Sequence, residues 1–388
     1  MKYDFSKVKD DISARIAKGI LPGAIATVSI DGEKVFECVE GYSDVEKRTP
    51  LSKRNIFRLA SMTKPITAVA ALILQDRGVI SVKDNISKYL PGFEHMYVGK
   101  LTPSGEVITD READRQITIE DILTHCSGLS SGAVGNVEYP LYGHKDEKSF
   151  KETVEGYSKM HLDFTPGSSQ MYSPMVALDV VARIVEIASG MPYEKFLIKN
   201  LFNPLEMNDT VYSLSDEQWS RAVPMYMLDG DVTKITKTEE ECDYKKGFKL
   251  FSAGYTGGAA GLWGTSGDYV KFADMLVNKG KSNGVRIISE KAVEKMSAPH
   301  YENGFAGMNE YFNWGYCVRT VHKQTDGVQM LSPGSFGWSG AYNTHFWVDP
   351  VLKLTGVFMS NLDNAGGSGS ATAFEFECDV MNEIKGKK

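Results

Sequence analysis

Residues 55 to 78, Asn-Ile-Phe-Arg-Leu-Ala-Ser-Met-Thr-Lys-Pro-Ile-Thr-Ala-Val-Ala-Ala-Leu-Ile-Leu-Gln-Asp-Arg-Gly, constrain the fold more than any other stretch of the chain. Ala68 to Leu74 is an unbroken apolar run and Gly78 is a good stop, so the pattern predicts a buried helix that begins close to Ser61. Pro65 agrees with that start, because it falls at the edge of the first turn, where a missing N–H costs little. Ser61 and Lys64 are three positions apart and share a helix face, with the hydroxyl near the positive end of the helix dipole. A serine with an amine beside it suits a nucleophile.

Ser-x-x-Lys is a short pattern, and this chain carries it twice, at Ser6 and Lys9 as well as at Ser61 and Lys64. Context separates the copies. Ser6 sits in a charged amino-terminal segment, whereas a lysine at the mouth of a fully apolar helix does not read as a solvated face. If that helix is buried, loss of solvent disfavours the charged amine, and a neutral amine can take a proton.

The 388 residues, 42% hydrophobic and 24% charged, are enough for a sizeable core in one or two domains. A net charge of −7 gives no electrostatic footprint for nucleic acid or an anionic membrane. No apolar stretch approaches the ~20 residues that span a bilayer, and the start Met-Lys-Tyr-Asp-Phe-Ser-Lys has no signal-peptide core, so a cytoplasmic protein is expected. Cys38, Cys126, Cys242, Cys317 and Cys378 are scattered and odd in number, which fits reduced thiols. The seven histidines are equally dispersed, without His-Glu-x-x-His, and neither a structural metal nor a cofactor is expected.

In chain order, residues 5 to 18 read as an amphipathic helix, and Ala24 to Ile30 with Lys34 to Cys38 as a hairpin through Asp31-Gly32. After Gly78 comes a middle region with few strand patterns: a capping box at Thr118 to Asp121, a helix over Glu147 to Met160, and an apolar helix ending at Gly190. Helices are then expected over Asp268 to Asn278 and Glu290 to Met296, and strands near Gly315 to His322, Tyr342 to Val348 and Lys353 to Met359. A closing helix over Ala371 to Ile384 follows. Strands at both ends with helices between predict one sheet built from the two ends, with residues 1–85 and 241–388 forming the sheet-containing lobe and 86–240 a helical insert. Clefts between such lobes are common ligand sites.

Tyr172 is the second candidate. Pro166-Gly167 marks a turn and Ser173-Pro174 reads as the N-cap and first residue of the helix that ends at Gly190, which puts Tyr172 on a tight loop. Alone it reads as a ring packed between lobes; beside Ser61 and Lys64, its phenol could relay the serine proton.

Taken together these motifs resemble the serine hydrolases built like class C β-lactamases and penicillin-binding proteins, and among them the family VIII carboxylesterases. Ser61-Met-Thr-Lys64 matches the family's Ser-x-x-Lys, Tyr172-Ser173-Pro174 its Tyr-x-Asn, and Trp338-Ser339-Gly340 its Lys-Thr-Gly. The linking segments Ile122 to Leu129, Asn203 to Thr210 and Gly261 to Asp268 extend the likeness over nearly the whole chain. The resemblance implies an α/β (α+β) fold, an antiparallel sheet flanked by helices with an inserted all-helical lobe. It implies Ser61 as the acylated nucleophile, Lys64 and Tyr172 as its proton-handling partners with either as base, and the backbone N–H groups of Ser61 and Ala341 as the oxyanion hole. Trp338, Ser339, Gly340 and Pro174 would contact substrate.

Two departures bear on substrate. Pro174 stands where the lactamases carry an asparagine that meets the substrate amide, and Trp338 where they carry a lysine for the β-lactam carboxylate. Both point to a small-molecule neutral acyl ester. An acyltransferase, a D-amino-acid amidase or peptidase, or a β-lactamase would use the same acyl-enzyme, and a non-catalytic scaffold is the reading from another class. Other patterns take blander readings. Gly128-Leu-Ser130-Ser-Gly132 lacks the strand-turn-helix context of a nucleophile elbow, and Tyr301-Glu302-Asn303 reads as a polar turn. His125 is expected to satisfy backbone groups near a helix end, and Gly257 to Gly261 to be a tight strand near the site. Tyr139, Tyr142, Trp263 and Trp314 are candidates for either an acyl pocket or the core.

Overall fold

The computed structural model describes residues 3–143, 148–229, 235–237, 247–248, 251–252, 255–301, 310–325, 329–363, 365 and 370–386. Its main sheet has eight strands: β1 (Gly23–Ile30), β2 (Glu33–Asp44), β3 (Thr49–Pro50), β4 (Phe312–Trp314), β5 (Arg319–Val321), β6 (Phe336–Gly340), β7 (Thr344–Asp349) and β8 (Leu354–Ser360). They run in the order β4-β5-β6-β7-β8-β1-β2-β3, each antiparallel to its neighbour, so the two ends of the chain meet where β1 pairs with β8. The Asp31-Gly32 turn has positive φ at both residues, 55° and 79°, as a two-residue hairpin requires.

The principal helices are α1 (Ser6–Ala17), α2 (Thr63–Asp76), α3 (Ala133–Tyr142), α4 (Phe150–Tyr157), α5 (Ala177–Ser189), α6 (Ser266–Val277), α7 (Glu290–Ser297) and α8 (Ala371–Gly386). Alternation along the strands divides the core in two. Ala24, Ala26, Val28, Trp347 and Phe358 face α1 and α8, while Ile25, Trp338, Phe346, Val357 and Met359 face the larger core shared with α2, α5 and α6. Every residue of α2 from Thr63 to Leu74 is buried. The helix has no exposed stripe because it packs against α5 and α7 and continues directly from the 3₁₀ turn Ala60–Met62, which carries Ser61.

The insert is not all-helical. Tyr97–Leu101 and Val107–Glu112 form an antiparallel hairpin, which residues alone did not betray because its strands are mostly solvent-exposed and lack an apolar alternation. A helix, α3, follows Gly132, where no helix was expected; its N-terminus is held by the Asp163 carboxylate, which accepts the N–H groups of Ser131, Gly132, Val134 and Gly135. The helix expected over Glu147 to Met160 is shorter, Phe150–Tyr157, opened by a Ser149/Glu152 capping box. Of the strand expected over 315–322 only Arg319–Val321 forms, because residues 315–318 turn back from Phe312–Trp314 with Cys317 at φ 57°, and the strand expected from Tyr342 starts at Thr344 because Asn343 takes φ 61°. Cys38, Cys126, Cys317 and Cys378 are free, and Cys242, Glu302 and Asn303 lie outside the described residues. Among the described residues no helix is long and apolar enough to cross a membrane.

Candidate active site

Ser61 is presented by a forced turn. Ala60, directly before it, has φ 47°, a left-handed conformation that costs a residue with a Cβ about 1–2 kcal/mol and persists only where the surroundings impose it. They do. The Leu59 N–H donates to the Leu262 carbonyl at 2.9 Å, and the end of β6 abuts the Leu59 carbonyl so closely that a Cβ on Gly340 would lie 2.4 Å from its oxygen and 2.2 Å from Thr344 Oγ1. The absence of a side chain at Gly340 is what lets the strand reach the turn. Ala341, the next residue, is exposed at the strand's end.

Lys64 is fully buried and makes three hydrogen bonds: Nζ donates to the Pro174 carbonyl at 2.7 Å, to the Ala259 carbonyl at 2.8 Å, and lies 3.2 Å from Ser61 Oγ. A carbonyl can only accept, so two of the three N–H positions are committed whatever the charge of the amine. The remaining valence, an N–H in the ammonium form and a lone pair in the amine, points at the serine hydroxyl. The motif therefore places a partly exposed serine against an amine that can exchange a single proton with it.

Tyr172 joins this pair by its ring, whose centroid is 5.0 Å from Lys64 Nζ. Its hydroxyl is buried and has no hydrogen-bond partner among the described residues. The ring belongs to a cluster with His125 (4.6 Å between centroids), Trp338 (5.2 Å) and Trp314 (6.1 Å), and the two indoles are 4.6 Å apart. The Trp338 Nε1 and His125 Nε2 atoms likewise have no partner among the described residues. Buried polar groups are rarely left unpaired, and these three belong to one ring cluster beside Lys64. Of the four aromatics in question, Trp314 lines the site. Trp263 instead packs on Arg58 and Trp219, and Tyr139 and Tyr142 pack against the core.

His125 fixes the tyrosine loop from both sides. Its carbonyl accepts the Met171 N–H at 3.0 Å and its Nδ1 accepts the Ser173 N–H at 3.4 Å. Burial, and after it the charge of Lys64, pushes its pKa down to about 3, so the ring is neutral and serves the backbone rather than acting as a base. Ser173 is not the N-cap expected of it: α5 begins at Ala177 with Val176 at the cap position and no side-chain cap, the Ser173 hydroxyl accepts the Ala177 N–H at 3.2 Å from the segment before it, and Pro174 lies in an exposed bend. Pro174 thus contributes its carbonyl. Gly257 to Gly261 lies beside the site, as expected, though as irregular backbone rather than a strand.

Ser339 departs from expectation. Trp338 faces the cleft, so strand alternation turns Ser339 to the opposite side, where its hydroxyl is 2.7 Å from His345 Nδ1 and His345 Nε2 is 2.8 Å from Glu377 Oε1 on α8. Its side chain does not reach the cleft. Arg319 completes the cluster at 3.4 Å from Glu377. Burial works against the Glu377 charge, but the His345 hydrogen bond and the His345 and Arg319 charges prevail and hold the carboxyl below its ordinary range.

Comparison with known proteins bears on the family and the fold. A family model described as Beta-lactamase matches residues 8–375. Esterase EstB of Burkholderia gladioli is 28% identical over 371 residues, 91% of this chain and 89% of that protein. Protein Rv1367c of Mycobacterium tuberculosis is 29% identical over 357 residues, 88% of this chain and 86% of its own. The solved structure of EstCE1, described as a hydrolase with promiscuous acyltransferase activity, superposes with a TM-score of 0.80 at 20% identity, covering 97% of this chain and 98% of that one.

Proposed function

The chain belongs to the β-lactamase family of serine hydrolases, and from that premise we propose that it is a serine esterase for small or medium neutral acyl esters, with Ser61 as nucleophile. The observation that carries the substrate class is Trp338. It is packed between Tyr172 and Trp314 on the cleft side of β6, at the position where the lactamases to which this chain is similar carry a lysine. An aromatic wall favours an acyl chain by about 0.8 kcal/mol per buried methylene and offers a carboxylate no charged partner.

In this reading the Lys64 amine takes the Ser61 proton as Oγ attacks the ester carbonyl, since its third valence is already aimed at that hydroxyl. The oxyanion forms against the N–H groups of Ser61 and Ala341, at the junction that Gly340 keeps narrow. Tyr172, whose hydroxyl is unpaired in the free protein, gives its proton to the departing alkoxide and regains one from Lys64, leaving an acyl-Ser61 that water hydrolyses. EstB, a relative over most of both chains, bears the name esterase, which supports the choice among chemistries that share an acyl-enzyme.

The test is intact-protein mass after treatment with a fluorophosphonate and with p-nitrophenyl acetate and butyrate. A single adduct that maps to Ser61 and is absent from Ser61→Ala is the expected result. Labelling elsewhere, or ester turnover undiminished in Ser61→Ala, would overturn the reading.

A further inference from the structure

Behind Lys64 lies a carboxylate that the chemistry above does not use. Asp179, in the first turn of α5, is buried among groups from several elements: the Tyr157 hydroxyl on α4 at 3.3 Å, the Tyr255 hydroxyl, and the Ala259 N–H at 3.0 Å from Oδ1. Ala259 is the residue whose carbonyl holds Lys64. Its neighbours are pinned in the same way, the Gly257 carbonyl by the Tyr212 hydroxyl at 2.6 Å and the Gly258 carbonyl by Thr67 Oγ1 at 2.7 Å. The segment has no room to shift: a Cβ on Gly258 would lie 2.2 Å from the Leu178 carbonyl oxygen, and one on Gly257 would lie 2.7 Å from Asp179 Oδ1. Asp179 also sits on the helix that follows Pro174, the other carbonyl partner of Lys64.

From this juxtaposition we infer that Asp179 is a positioning residue for the proton transfer, anchoring the Ala259 carbonyl that aims Lys64 at Ser61 and supplying the negative charge that steadies the ammonium when Lys64 takes the serine proton. The inference rests on the acyl-enzyme reading. Among the described residues no hydrogen bond or ion pair joins Asp179 to Lys64 or Ser61, so its contribution is orientation and field. The charged and titratable groups that act on it are Lys64 on α2, Tyr139 on α3, Tyr157 on α4, and Tyr255, Tyr193 and Tyr212 from flanking segments. Burial raises its pKa to about 6 against the opposing pull of the Tyr255 and Ala259 hydrogen bonds and the Lys64 charge. Tyr255 favours the ionised form, so removing its hydroxyl must move the titration upward.

Two variants and one control test this. The acid limb of kcat/KM for a p-nitrophenyl ester is expected near pH 6, to shift to higher pH in Tyr255→Phe, and to vanish in Asp179→Asn, which keeps an acceptor for Ala259 but loses the charge. At pH 8 Asp179→Asn should lower kcat about a hundredfold with KM changed little, the cost of a misaligned reacting group. A merely structural aspartate would move melting temperature and leave the limb where it was. An unmoved limb in both variants, or a kcat in Asp179→Asn within about twofold of wild type, would overturn the inference; should that variant fail to fold, the Tyr255→Phe profile decides. Fluorophosphonate labelling of the wild type is the control, because absence of a Ser61 adduct defeats the acyl-enzyme reading and leaves these limbs without a reaction to report.

Discussion

Two serines in this molecule sit in hydrogen-bonded clusters, on opposite faces of the same sheet, and the less complete cluster is the one we propose reacts. Ser339, His345 and Glu377 form a chain of bonds at 2.7 and 2.8 Å, a serine, a histidine and an acid in the order a hydrolase would use, yet all three are buried. Ser61 is partly exposed, its bond to Lys64 is longer at 3.2 Å, and the ring cluster beside Lys64 holds atoms of Tyr172, Trp338 and His125 with no partner among the described residues. Satisfaction is what a structural network needs, since a half-paired buried group costs about 1–3 kcal/mol. Incompleteness beside an accessible nucleophile is what a site needs, because the missing partners arrive with the substrate.

The sharpest way to break this contrast is to delete each hydroxyl. Ser61→Ala should lower ester turnover by at least about 10⁴-fold and abolish the fluorophosphonate adduct without unfolding the protein. Ser339→Ala should keep the adduct and most of the turnover but lower the melting temperature, since it leaves His345 Nδ1 unpaired in the core at a cost of about 1–3 kcal/mol. Equal losses of activity would erase the distinction. Next, Lys64→Ala and Tyr172→Phe should each lower kcat by several orders of magnitude while the double variant loses little more, because residues acting as one unit are not additive. Multiplicative losses, measured with the same ester, would show two independent contributions.

A smaller effect concerns the wall of the cleft. The wild type should prefer p-nitrophenyl butyrate to a chromogenic cephalosporin by at least about a hundredfold in kcat/KM, the upper end of the roughly ten- to hundredfold binding lost with one charge-assisted hydrogen bond. Trp338→Lys should narrow that ratio. Comparable rates in the wild type would return the protein to the lactamases. The smallest effect belongs to the far cluster and is read in stability alone. The Glu377 carboxyl is held below its ordinary range, so its contribution is complete above the normal carboxylate pKa and is lost as pH falls through the lower folded value. Chemical denaturation of Glu377→Gln between about pH 5 and pH 3 should therefore show a shallower decline than the wild type. An equally steep decline would place the acid sensitivity elsewhere.

Much of this was legible in residues because it depends on side chains at short spacing. Ser61 and Lys64 share one helical turn, Asp31-Gly32 sets a hairpin register, and the apolar run of α2 has to be buried. What escaped is carried by backbone or by parity. Any residue can supply the Ala259 and Pro174 carbonyls that hold Lys64, so no residue type announces them, and Asp179 acts through one of them. Ser339 was within reach. Once Trp338 faces the cleft, period two sends its neighbour to the other side, and reading Trp-Ser-Gly as a block hid this. The hairpin over 97–112 and helix α3 escaped for a different reason, since one lacks an apolar alternation and the other is interrupted by Pro140.

Two of the three partners of the amine are main-chain carbonyls, and mutation rewrites side chains while leaving the backbone's oxygens in every variant. Among the described residues Ser61 is the side chain that hydrogen-bonds Lys64, so apart from Ser61 and the neighbouring Tyr172 the chemistry at Lys64 is disturbed from a distance, through Asp179. The walls at Trp314 and Trp338 are ordinary replaceable residues. Descendants of this sequence, in nature or in a library, are expected to drift in what they cleave well before they drift in how they cleave it.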